Sequence, residues 1–180
     1  MEEIIKAYNK WHKPLLNGFL SYYEELTVEE IIESVTIKHG EGPFLLSNPH
    51  YNRIKDKKNV FRSKRTKLIR KIDKIKECEQ SNFEELFTII KNCQVLGIGD
   101  LINYDISLAI GSRLNKYPNQ LYLHASVLKA AKSLKLEINN NRVHREDLNT
   151  VFGNMKPHHI ENMLCIYNKV ITGLPPHTAA

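Results

Sequence analysis

Apolar positions along this chain recur at helical spacing rather than strand spacing. Ile4, Ile5, Tyr8 and Trp11 or His12 line one side of a helix over about 2–12 that Pro14 interrupts, and a short second helix follows over about 14–25. Thr27 with Glu30 three residues on is a capping-box signature. Ile31, Ile32 and Val35 extend it as an apolar stripe, and Gly40 offers a stop, which predicts a third helix near 28–39. From Gly40 to Asn59 the glycines, prolines and asparagines break any period, so a long flexible loop is expected. A fourth helix begins near Val60, with Leu68, Ile69, Ile72 and Ile75 on one side and Arg62, Arg65, Lys67, Arg70, Lys71 and Lys74 on the other. Ser81 with Glu84 predicts the opening of a helix over about 82–93, with Phe83, Leu86, Phe87 and Ile90 inward. Further helices are expected over about 100–115, 119–135, 145–152 and 157–171, the last with Pro157 in its first turn, and Asn139-Asn140-Asn141 reads as a turn or loop. Nothing alternates with period two for long enough to require a sheet. The expected fold is all-α, a single-domain bundle of about eight helices, which suits a chain of 180 residues.

Composition narrows the class. No run approaches the roughly 18–20 apolar residues that would span a bilayer, and the chain starts Met1-Glu2-Glu3, acidic where a signal peptide is basic. A cytoplasmic protein without membrane insertion is expected. Cys78, Cys93 and Cys165 form no C-x-x-C pair, which argues against a disulfide framework and against zinc or iron–sulfur sites. No metal or other cofactor is expected, and each cysteine reads as a small buried or half-buried thiol.

Charge changes the picture further. The net +6 is distributed unevenly: Arg53–Lys76 holds twelve Lys/Arg against Asp56 and Asp73, while the rest of the chain is net negative. Cations at this density, with Phe61 among them and Tyr51 just before, suit a phosphate backbone held by counterion release. Arg62, Lys64, Arg65, Lys67, Arg70 and Lys71 are the candidate contacts. The same run also fits the solvated face of an amphipathic helix, or a surface that docks an acidic membrane or protein partner.

Between the helices at 82–93 and 100–115 stands Val95-Leu96-Gly97-Ile98-Gly99. So tight a bend needs residues that tolerate positive φ, hence two glycines around one apolar plug, Ile98. It leaves the first N–H groups of the following helix to point outward, where they can receive a phosphate. The bland alternatives are a helix joint inside a bundle or a protein–protein joint. Phe83–Leu136 resembles the core of the helix-hairpin-helix DNA glycosylase superfamily, the endonuclease III-like base-excision enzymes, whose hairpin has the form Leu-Pro-Gly-Val-Gly. Further on, His124-Ala125-Ser126-Val127 and Lys132-Ser133-Leu134-Lys135-Leu136 match the family's next helix in length and ending. The resemblance implies binding to DNA or RNA through Gly97, Ile98 and Gly99. It also implies that the usual catalysis is lost or rebuilt. Leu101 stands where some members carry a nucleophilic lysine, His124 stands where the family has its charge-stabilising aspartate, and the family's cluster-binding cysteines are missing. Tyr104-Asp105, Gly111, Tyr122-Leu123-His124-Ala125, Ala130-Ala131 and Leu164-Cys165-Ile166-Tyr167 are also similar to a family of small uncharacterised bacterial proteins, which implies no stated function.

One acid–base pair offers itself. Asp105 and His124, with Tyr104 as a further hydroxyl or aromatic face, could meet at a pocket beside the hairpin and act on a nucleoside or base as an N-glycosidic-bond hydrolase would. A core histidine bonded to a buried carboxylate accounts for the same spacing without catalysis. His158 and His159 diverge by about 100° on a helix and read as surface groups. Trp11, Tyr8, Tyr22 and Tyr23 are expected to pack the N-terminal helices. Three readings follow: a nucleic-acid-binding protein with a glycosylase-like core, an enzyme using Asp105 and His124, or a scaffold whose basic helix docks an acidic protein.

Overall fold

The computed structural model describes residues 1–36 and 54–173. The expected loop from Gly40, up to Arg53, and the end of the third predicted helix lie outside these. The described residues form α1 (Glu2–Trp11), α2 (Lys13–Glu24), α3 (Val28–Thr36), α4 (Lys57–Ile69), α5 (Ile72–Glu77), α6 (Phe83–Asn92), α7 (Asp100–Arg113), α8 (Ala125–Ser133), α9 (Arg145–Phe152), α10 (Pro157–Ile166) and α11 (Asn168–Thr172). The chain is all-α, as its periodicity predicts. The count exceeds eight partly because the expected fourth helix breaks at Arg70-Lys71 and the last one breaks at Tyr167. One expectation is corrected: the start of the helix predicted at 119–135 is a strand, β1 (Leu121–Tyr122), paired antiparallel with β2 (Arg142–Val143) in the register Leu121↔Val143 and Tyr122↔Arg142. Asn140 and Asn141 take positive φ in the turn before β2, which asparagine tolerates well.

The chain divides into two compact units, a terminal unit of Met1–Leu16 with Pro118–Ala180 and a central unit of Asn17–Tyr117. In the central unit α7 is buried along Ile102–Ser112 except at the half-buried Asp105, with α6 and α3 packed on it and α4 on α3. The predicted capping box holds α3: Glu30 Oε2 accepts from the Thr27 amide and hydroxyl, both at 2.8 Å, and the Glu30 amide donates to Thr27 Oγ1 at 3.2 Å. The cap of α6 falls one residue later than predicted, on Asn82, whose side chain accepts from the Glu85 amide at 3.0 Å.

The terminal unit encloses a core that includes Tyr8, Val127, Phe152, Ile160, Met163 and Leu164. Tyr8 is buried as expected, but Trp11 is 61% exposed and packs little. His158 and His159 are buried, correcting their reading as surface groups. The Tyr8 hydroxyl lies 3.0 Å from His159 Nδ1, a pairing across 151 residues that decides which face of α10 turns inward.

That burial has a consequence in acid. Burial, then the neighbouring His159 and Lys156, bring His158 down to about 3. Burial, then Lys13 and Lys156, bring His159 down to about 4. An unfolded chain protonates both near pH 6.5. Between that value and pH 3–4 the unfolded state therefore binds more protons, so stability present above pH 6.5 is lost as pH falls. Each histidine is expected to contribute about 1.4 kcal/mol per pH unit to this loss. Thermal melts from pH 7 to 4.5 should show it, and a His158→Asn/His159→Asn double variant should melt with a flatter pH dependence; an unchanged slope would refute the assignment.

Candidate nucleic-acid interface

The α6–α7 connection is open to solvent. Gly97, Gly99 and Asp100 are exposed, Ile98 is half-buried as the plug, and Leu96 is 96% exposed at the tip. Gly97 sits at φ +93, the left-handed territory that a glycine enters freely. The Ile98 amide closes the turn by donating to the Val95 carbonyl at 3.0 Å. Gly99 caps α7 without a side chain, and the first amide bond back into the helix is Asn103 to Gly99 at 3.2 Å. The amides of Asp100, Leu101 and Ile102 thus precede the intrahelical ladder, and the positive end of the dipole lies at this bend. Asp100 stands beside it with its carboxylate 3.0 Å from the Lys91 ammonium, so the two charges cancel locally.

The basic helix lies against the same bend. A Cβ on Gly97 would sit 3.9 Å from Ile54 Cγ2 and from both Val60 methyls. Lys67 Nζ donates to the Gln94 carbonyl at 2.5 Å, and Cys93 Sγ reaches the Lys67 carbonyl at 3.6 Å. Burial raises the Cys93 thiol, and the nearby Lys64, Lys71 and Lys67 oppose it, which places these cations around the foot of the hairpin. With about 100° per residue along α4, Val60 and Lys67 face the hairpin, Arg70 lies on its outer flank and Arg62 points away from the core. Arg62, Lys67, Arg70 and Lys71 are all exposed.

Two of the six candidate cations have other roles. Lys64 is fully buried. Its Nζ donates to the Ile90 carbonyl at 2.7 Å, the Cys93 carbonyl at 2.9 Å and Asn103 Oδ1 at 2.7 Å, which corrects its reading as a surface contact. Burial brings this ammonium down to about 8, so it still carries its charge at neutral pH. The signal was present in the sequence: Phe61, Lys64, Leu68 and Ile75 share one stripe, with the lysine at an apolar position. Arg65 is half-buried and turns toward α3, with its Nη2 3.9 Å from Glu33 Oε1. Phe61 is also buried, so it is closed to base stacking, and Tyr51 lies outside the described residues. Ile69, expected on the apolar side, is 36% exposed because it lies about 100° round α4 from Leu68, off the buried stripe of Phe61, Lys64 and Leu68. Sequence reasoning missed Asn103, a buried polar residue in the middle of an apolar helix, which is itself a detectable anomaly.

The acid–base candidates are not assembled inside either unit. Asp105 belongs to the central unit and His124 to the terminal one, each half-buried, with His124 capping α8. Tyr104 is 1% exposed and sits edge-on to Phe83 with ring centroids 5.9 Å apart, a core contact in place of the expected site group. A groove of about 370 Å³ in the central unit is bordered by Thr27, Glu29, Lys76, Glu79 and Arg113. Its charges balance, with Lys76 Nζ 2.5 Å from Glu29 Oε1, so it offers no surplus for an anion. Among the described residues no three His, Cys, Asp or Glu side chains are grouped to hold a metal ion, and no helix is long and apolar enough to cross a membrane. No protein-family model, curated protein or solved structure matches this chain.

Proposed function

We propose that the central unit binds nucleic acid through its phosphate backbone, with a core resembling helix-hairpin-helix DNA glycosylases and without their usual catalytic residues. The observation that carries this reading is that the solvent-facing Gly97-Ile98-Gly99 bend is packed against the basic helix, so outward amides and exposed cations share one surface. Backbone donors at a helix start fix a phosphate in place, and the lysines and arginines around it release counterions. The cations in this role are Lys67, Arg70 and Lys71; Lys64 and Arg65 support the scaffold, and Arg62 lies on the side of α4 opposite the bend.

The test is fluorescence anisotropy on labelled DNA and RNA at 50 and 200 mM salt. Affinity is expected to fall steeply with salt, and an Arg70→Ala/Lys71→Ala variant should reduce the log–log slope by roughly two. Absence of binding to any of these strands at 50 mM would end the proposal. Capture of an acidic protein that persists at high salt would favour the scaffold reading instead.

A further inference from the structure

Four of the eight large apolar side chains exposed among the described residues stand around one contact in the terminal unit. Trp11, Leu15 and Val170 are each more than half exposed, and Ile166 is 41% exposed. The ring of His12 meets that of Tyr167 edge-on at 5.6 Å, which ties the α1–α2 junction to the α10–α11 junction. Helical hydrogen bonds run through both junctions. The His12 amide donates to the Tyr8 carbonyl and the Leu16 amide to the His12 carbonyl; the Tyr167 and Ile171 amides donate likewise to Met163 and Tyr167. Trp11 with Leu15, and Ile166 with Val170, are therefore i, i+4 pairs, each on one helical face beside the ring contact. Core packing does not account for these side chains, and exposed apolar residues gathered in one place mark a contact surface.

The charges around them have one sign. Lys10 lies over the Trp11 ring, 4.6 Å from its centroid, and Lys169 is exposed in the turn between Ile166 and Val170. No acidic residue occurs from Ile4 to Leu16 or from Asn162 to Gly173. The carboxylates of α1, Glu2 and Glu3, stand in its first turn and are paired with Lys6. An isologous contact with a second copy would set lysine against lysine, so charge complementarity calls for an anionic occupant. We infer that this face seats the terminal unit on an anionic bilayer surface, its apolar side chains entering the headgroup layer while Lys10 and Lys169 meet lipid phosphates. It uses no residue of the central unit and so stands apart from the nucleic-acid reading. Tryptophan settles where water meets lipid because its ring is apolar and its indole N–H polar. Lysine lays its stem along apolar surface and keeps its ammonium among the headgroups, where negative lipids attract it. Apolar side chains beside cations bind a membrane surface without crossing it, and no helix among the described residues is long and apolar enough to cross. Four side chains fall short of the roughly 800 Å² that each partner of a standard protein contact buries, whereas a bilayer receives each one separately.

Trp11 is the single tryptophan of the chain, so its emission reports this face alone. The full chain would be mixed with vesicles of phosphatidylcholine and with vesicles of phosphatidylcholine and phosphatidylserine, and followed by tryptophan emission and co-sedimentation. The phosphatidylserine vesicles are expected to shift the emission to the blue and to sediment the protein, and the neutral ones to do neither. A Leu15→Ser/Val170→Ser variant should bind about tenfold more weakly. A Lys10→Ala/Lys169→Ala variant should lose roughly thirtyfold, about fivefold for each lysine. Both variants should melt with the wild type, because the altered side chains are exposed. Emission that stays unmoved by anionic vesicles overturns the inference, even if the protein sediments with them, since the contact would then lie elsewhere. Equal binding to both vesicle types overturns it too. A blue shift that grows with protein concentration without lipid would give the face to a second copy, and one caused by DNA or RNA but by neither vesicle would give it to nucleic acid.

Discussion

Replacing Lys64 by methionine is expected to lower the free energy of unfolding by about 1–3 kcal/mol, the cost of leaving buried acceptors without their donor. Methionine nearly matches the length of the lysine side chain and fills the same fully buried volume, so the experiment removes hydrogen bonds rather than packing. The three protons of the ammonium meet three acceptors: Ile90 O, Cys93 O and Asn103 Oδ1. The first two are carbonyls at the end of α6, where helices leave acceptors short of internal donors; Ile90 O also takes the Cys93 amide. One side chain from α4 therefore closes α6 and ties it to α7 just below the bend. In the variant Cys93 O and Asn103 Oδ1 lose this donor in a site that water does not enter, each at a desolvation cost, while Ile90 O keeps the Cys93 amide at 3.2 Å. Urea unfolding followed by circular dichroism measures this directly. As a contrast, Arg62→Ala, on the exposed side of the same helix, should remain within about 0.5 kcal/mol of the wild type. A loss below about 1 kcal/mol for Lys64→Met would show that the buried ammonium does not hold the hairpin.

The second large effect is expected at Gly111. A glycine inside a helix normally destabilises it, and replacement by alanine gains roughly 0.5–1 kcal/mol. Here the sign reverses. After α7 the chain folds back so that the Lys116 amide donates to the Gly111 carbonyl at 2.7 Å, with Asn115 at φ +53 making the turn. The Lys116 carbonyl comes to rest over the Gly111 Cα, where an added methyl would overlap it, with Phe83 Cδ2 only 3.4 Å away on another side. The obstructing atom is backbone, so no rotamer change relieves the overlap. Gly111→Ala is expected to cost about 3 kcal/mol through overpacking. Gly18 provides the opposite case, because it is exposed in α2 and a methyl added there would meet nothing within 4 Å. Gly18→Ala should therefore stabilise by about 0.5–1 kcal/mol. Two melting curves decide the matter, and a Gly111→Ala protein as stable as the wild type would contradict the close approach.

Much of this was legible beforehand, for physical reasons that can be stated residue by residue. Helical spacing of apolar residues is a local property, so the spans of α1, α6, α7 and α9 fall within a residue or two of expectation. Thr27 and Glu30 cap α3 through atoms only three residues apart, and so needed no knowledge of the fold. At α6 the same i, i+3 geometry settled on Asn82 and Glu85, because two adjacent residues, Ser81 and Asn82, could each supply the cap. Strands of two residues are too short to display alternation, and β1 depends on partners distant in sequence, β2 some twenty positions on and α10 packed against it. The glycine bend was readable as a bend, since Gly97 needs its positive φ whatever surrounds it.

Tertiary packing alone settled what each polar residue does. Lys64 and Arg62 are chemically similar members of one charge run, yet the first is sealed beneath the hairpin and the second faces solvent. That division depends on which side of α4 meets α6 and α7. His158 and His159 became core groups because Tyr8, far away in the chain, turned that face of α10 inward. Leu96, apolar by type, stayed outside because the bend turns its ridge away from the core. Local spacing thus determined where the helices run and where they end. Burial, which is a property of surfaces brought together from distant parts of the chain, decided which charges remain available for a ligand.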